Sequence, residues 1–212
     1  MGLLLQGVRL AVVIRGGTGE DIATAHYLML LIGIGSTVIS AMHGILATDL
    51  QAATDENFAK TRKHAVRSYM YLSFIMGLGG VVTIKYVGPL LFSSIGNVGE
   101  VAGIVLASTL PSLCTYYCLS ALSVRLGRTG RLAAVSVTGL LIFYVFVLRF
   151  PSNLDSLVIL YSVAIGGLPI LMSIVIGLDS AVSRKVVWKC TLGVMIGQLP
   201  VAAFLIPTLL GS

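Results

Sequence analysis

The sequence predicts an all-α fold, a polytopic transmembrane helical bundle, and three observations carry that prediction. Of 212 residues, 57% are hydrophobic and only 10% are Asp, Glu, Lys or Arg, with a mean hydropathy of +1.00; soluble domains carry about 25% charge. The apolar residues fall in runs of roughly 20, the length a helix needs to cross about 30 Å of hydrocarbon. The bases cluster in alternate connections between those runs, as they do when short loops sort by charge across a bilayer.

Residues 1–14 are expected to form a shortened leading helix, too short to cross and carrying Arg9 in its middle. They lack the basic start and small-residue cleavage site of a signal peptide, and Gln6 stands where a myristoylation motif has Ser or Thr. Six spans follow: 22–48, 68–92, 101–124, 132–148, 156–178 and 190–212, with Lys85 their one charged residue. Residues 49–67 predict a charged helical segment that Thr54 can cap and that Asp55 and Glu56 open. Nothing suggests a second domain, so residues 1–212 are expected to form a single transmembrane domain.

Connections 49–67, 125–131 and 179–189 hold ten Lys and Arg, whereas the intervening ones hold only Arg15, Lys85 and Arg149. Short cytoplasmic loops retain bases, so the chain is expected in the cell (cytoplasmic) membrane with its start and basic loops inside. The net charge of +6 is thereby read as a topology signal, with membrane lipid as a partner and no nucleic acid.

Catalysis within a membrane needs a nucleophile with its base, a metal cluster, or carboxylates. The spans contain no Asp or Glu, and His26 and His43 lie 17 residues apart on one segment, outside any metal-ligand spacing. Ser36 shares that segment with both histidines, which denies it a base on another helix. Cys114, Cys118 and Cys190 read as buried thiols. The sequence therefore points to a protein that is not an enzyme, with no catalytic residue, metal or cofactor.

Small and polar residues recur at three-to-four spacing along several spans, each stripe on one helix face. They are His26, Gly33, Ser36, Ser40 and His43; Ser73, Gly77 and Gly80; Ser108, Ser112 and Thr115; Ser162, Gly166, Pro169, Ser173 and Gly177; and the pair Gly193 and Gly197. Such stripes either let helices approach closely or line a polar cavity. As cavity lining they nominate His26, Ser36, Ser40, His43, Ser112 and Thr115, together with Arg9. Arg9 stands six residues before Arg15, about 9 Å into the membrane along a helix. Pro111, Pro169 and Pro200 are candidates for bends that shape or gate such a cavity.

The stretch LMLLIGIGSTVISAMHGILATDLQAATDENFAKTRKHAVRSYMYLSFIMGLGGVVTIKYVGPLL joins an apolar helix, a charged segment and a Gly-rich helix ending at Pro. In LPSLCTYYCLSALSVRLGRTGRLAAVSVTGLL a Pro-containing helix meets a short Gly/Arg turn. This order resembles the C-terminal half of the multidrug/oligosaccharidyl-lipid/polysaccharide flippase superfamily, especially Wzx-type polysaccharide-export flippases. The resemblance implies one lobe of a two-lobed transporter that flips a lipid-linked oligosaccharide or polysaccharide precursor by alternating access. It also implies a second lobe as partner, either another copy or a separate chain, and a pyrophosphate met by cations such as Arg9. A membrane scaffold of a polysaccharide-synthesis complex and a multidrug-antiporter-like protein are the competing classes.

Overall fold

The computed structural model describes residues 7–92, 98–127, 129–149, 153–177 and 184–210, and all their regular structure is helical. Helix α1 (Gly7–Ile14) is the described part of the leading helix; residues 1–6 lie outside the described residues. The chain reverses through Gly16, whose φ of 69° is left-handed and costs glycine no Cβ clash. Thr18 then opens α2 (Gly19–Ala52): its hydroxyl accepts from the Asp21 N–H at 3.2 Å, and the Asp21 carboxylate accepts from the Thr18 N–H at 3.0 Å. This reciprocal cap satisfies donors that have no intrahelical partner.

Helix α3 (Asp55–Val82) is separated from α2 by two residues and continues through a π turn, Thr83–Val87, into α4 (Gly88–Leu91). The expected helical segment 49–67 is therefore divided: its first residues finish α2 and the rest begin α3. Thr54 is the cap residue as expected, but its hydroxyl makes no cap hydrogen bond. Its carbonyl instead accepts from the N–H groups of Asn57 and Phe58 at 3.1 and 2.8 Å. The π turn has a local cause in Pro89, which has no N–H and crowds the carbonyl four residues back. The Gly88 N–H reaches five residues back to Thr83 O, and the widened turn absorbs the misfit.

Helices α5 (Glu100–Ala107) and α6 (Thr109–Arg125) form one crossing interrupted at Ser108. Pro111 lies in the first turn of α6, where its missing N–H is least costly. Gly127, with φ of 71°, ends α6 and turns the chain into α7 (Thr129–Arg149). Helices α8 (Leu154–Gly177) and α9 (Arg184–Leu210) complete the bundle, and both run unbroken past their internal prolines, Pro169 in α8, Pro200 and Pro207 in α9.

The α5–α6 crossing is the axis of the bundle. Of its apolar window, 78% is buried, against 22% for α7. Around it, α3 packs most extensively on α9, and the small residues noted in the sequence explain how closely. A Cβ on Gly77 would collide with the Gly197 carbonyl, and one on Gly197 would collide with the Ser73 hydroxyl and approach Pro111 to 2.9 Å. Gly193 is held against Met70 in the same seam. Here the stripes act as contact surfaces, which raise dispersion energy where lipid and protein are equally apolar.

Charges fix the helix ends. Glu20, Asp21, Asp55, Glu56, Glu100 and Asp155 all occupy first turns, where the macrodipole favours them. Three arginines donate to carbonyls at C-terminal ends: Arg15 to Val147 O at 2.6 Å on α7, Arg125 to Ala53 O at 3.2 Å after α2, and Arg131 to Val175 O at 3.4 Å on α8. Those carbonyls lack an intrahelical donor. Lys85, in the π turn that follows α3, pairs with Glu100 at the start of α5.

Candidate functional site

Five helices among the described residues are long and apolar enough to cross a membrane: Gly19–Ala52, Asp55–Leu91, Glu100–Arg125, Thr129–Arg149 and Leu154–Val175. The sixth expected span falls in α9, whose described apolar part is Ile196–Leu210. The protein is an all-α, multi-pass membrane bundle. Its unusual surface is the outward side of α2.

Residues His26, Thr37, Ser40, Gly44 and Thr48 are exposed, and Gly33 is half-buried with open space beside its Cα. Their three-, four- and seven-residue steps place them along one side of the helix. The Thr37 and Thr48 hydroxyls donate back to Gly33 O and Gly44 O at 2.9 and 2.8 Å, which leaves oxygen lone pairs directed outward. His26 makes no hydrogen bond with a described residue and touches the Tyr27 ring at 5.7 Å.

One flank of this face ends in a polar node joining α2, α3 and α6. The half-buried His43 is hydrogen-bonded to Tyr69, with 2.7 Å between Nδ1 and the phenol oxygen. Its ring lies 4.8 Å from that of Tyr117, whose hydroxyl accepts from Ser40 Oγ at 3.2 Å. Cys114 and Cys118 are buried on the same stretch of α6.

A second polar node, partly buried, lies between α9 and the α5–α6 crossing. Gln198 of α9 donates from Nε2 to Ser108 O at 2.9 Å and to Ser112 Oγ at 3.1 Å. It thus hydrogen-bonds the backbone where Ser108 interrupts the α5–α6 crossing, as buried irregular backbone at membrane depth requires.

The nominated residues do not converge on one cavity. Ser40 and His43 meet at the tyrosine node, and Ser112 meets Gln198. Ser36 and Thr115 are buried and bond carbonyls of their own helices, Gly33 O at 2.9 Å and Pro111 O at 3.4 Å. Arg9 is exposed on α1 and makes no hydrogen bond or ion pair with a described residue. Pro111, Pro169 and Pro200 are all buried.

Tyr69, Tyr117, Thr37, Thr48 and Gln198 were not singled out by sequence spacing. Gln198 carried a legible signal as the single amide side chain within 190–212. The tyrosines carried none, because their partner lies on another helix. Among the described residues no group of His, Cys, Asp and Glu could hold a metal ion. No family model, curated protein or solved structure matches the chain, so geometry and sequence pattern alone bear on function.

Proposed function

We propose that the chain is one lobe of a membrane transporter, in which the polar side of α2 lines a passage completed by a second lobe. The observation that carries this reading is the row of exposed His26, Thr37, Ser40, Gly44 and Thr48 along α2, which runs beside the exposed apolar residues Leu30, Ile34, Val38 and Ile45 of the same helix. Lipid offers no hydrogen bonds to such groups, whereas water in a cavity does. Exposed Arg9 on the neighbouring α1 is best accommodated by the same aqueous or anionic surroundings. The flippase-like order of segments makes a lipid-linked oligosaccharide or polysaccharide precursor the favoured cargo. Its polar head would pass along α2, and alternating access would follow from rocking the two lobes. The bias of bases to one end supports a cytoplasmic position for that end.

Thiol accessibility tests the passage directly. In a chain lacking Cys114, Cys118 and Cys190, Ser40→Cys in sealed vesicles is expected to react with a membrane-impermeant maleimide, because thiolates form only where water reaches. Val145→Cys on α7 is expected to stay protected. Equal protection at both positions would remove the passage. A cysteine at position 58 should label from the cytoplasmic side, and labelling from the other side would invert the topology.

A further inference from the structure

Phe58, Arg62 and Arg125 form a cationic node at the basic end of the bundle. The Arg62 and Arg125 guanidinium carbons lie 5.6 and 5.5 Å from the centroid of the same Phe58 ring. Arg125 is held in place by Ala53 O at 3.2 Å and by the exposed Asp55 carboxylate at 3.4 Å. These contacts use only part of its fork of five N–H donors. Arg62 is half-buried and makes no hydrogen bond or ion pair with a described residue, so its own fork is open.

The node's depth is set by the chain. Arg125 directly follows the apolar run 101–124, and its contact with Phe58, which also carries Arg62, holds the ring beside that level. The ring and both cations therefore lie where hydrocarbon gives way to headgroups, a level suited to side chains with an apolar body and a charged tip. Charge is also unevenly divided. In the sequence, connections 49–67, 125–131 and 179–189 carry ten bases against the four carboxylates Asp49, Asp55, Glu56 and Asp179, a surplus equal to the whole net charge of +6. Elsewhere the charges cancel.

We infer that Phe58, Arg62 and Arg125 bind the phosphate headgroup of an anionic phospholipid in the adjoining leaflet. Two guanidinium groups around one ring offer paired N–H donors that match phosphate oxygens. The ring holds them at the interface, and the bound phosphate ties α3 to the C-terminal end of α6. The inference needs only the membrane-bundle class and is independent of the transport reading.

The test is native mass spectrometry of the full chain in mild detergent, titrated with phosphatidylglycerol or phosphatidylcholine. Wild type is expected to retain phosphatidylglycerol selectively. Arg62→Gln is expected to weaken that retention about fivefold, the effect of one base near an anionic surface, and to leave phosphatidylcholine unchanged. Phe58→Leu, which keeps both charges, should weaken it less, so the site stays testable if Arg125→Gln disturbs folding. Excess inorganic phosphate should not displace the lipid. Equal retention by wild type and Arg62→Gln would overturn the site. So would an equal loss in Lys189→Gln at the same end, which would reveal a diffuse charge effect, or displacement by free phosphate.

Discussion

Helices α2 and α7 both cross the bundle from end to end, yet their outward sides differ in kind. On α7 the pattern is simple: Val135, Gly139, Phe143 and Val147 are buried, while Val137, Leu141, Val145 and Leu148 are exposed. Lipid completes such a helix. On α2 the buried side is equally apolar, with Leu28, Ile32 and Ile39 fully enclosed, but half of the outward side is His, Thr, Ser and Gly. The difference means that exposed helix surface in this bundle is of two kinds, one that hydrocarbon satisfies fully and one that carries polar groups hydrocarbon cannot satisfy.

Charge insertion should separate the two surfaces most strongly. Leu141→Arg places a cation in hydrocarbon and is expected to destabilise the inserted chain by about 3 kcal/mol, the cost of Arg at a helix centre. Thr37→Arg, on the polar side of α2, should cost far less. Yield of monodisperse protein in detergent extracts, measured for both variants in parallel, checks this. An equal loss would mean that α2 also faces lipid, and the comparison would fail.

A polar side chain that is already satisfied gives a smaller and different signal. Gln198→Leu removes two hydrogen bonds to Ser108 and Ser112, and is expected to lower stability by about 1 kcal/mol, as interhelical hydrogen bonds in membranes do. Thermal unfolding in detergent reads this, and no change in Cys labelling at position 40 is expected. A change there would show that the Gln198 node and the α2 surface are coupled.

These contrasts also explain what the sequence could disclose. Five of the six expected spans, the clustering of bases in alternate connections and the small-residue stripes themselves were legible, because run length, loop charge and spacing are local properties; that Gly77 meets Gly197 was not. Spacing also placed His26, Ser36, Ser40 and His43 on one stripe, but it could not say which neighbours flank it. In the bundle Ser36 is turned inward and Thr37 outward, a difference of one residue decided by where α6 packs. The Tyr69 and Tyr117 partners of His43 were illegible for the same reason, since helix pairing is a long-range property.

The tyrosine node should be softer than the Gln198 node, because it lies beside the open side of α2. Tyr69→Phe removes the hydrogen bond to His43 Nδ1 and is expected to cost about 0.6 kcal/mol, the average for such bonds in a membrane protein. Water entering from the α2 side can replace the lost phenol. Thermal unfolding of Tyr69→Phe beside Gln198→Leu checks the order, and a larger loss for Tyr69→Phe would mean that the node is sealed from water.

The smallest expected effect concerns the link between the two compared helices. Arg15 stands in the turn that leads into α2 and donates from Nε to Val147 O at 2.6 Å near the end of α7. A cation at a helix C-terminus contributes about 0.5 kcal/mol through the macrodipole and the orphan carbonyl. Arg15→Gln should therefore shift unfolding only slightly, while Arg15→Lys, which keeps the charge, should recover most of the difference. Because α2 and α7 are joined here at one end only, losing the clip should leave Val145→Cys protected and Ser40→Cys reactive. If Arg15→Gln instead exposes position 145, the apolar surface of α7 depends on its tether to α2. The two surfaces would then be parts of one movable unit.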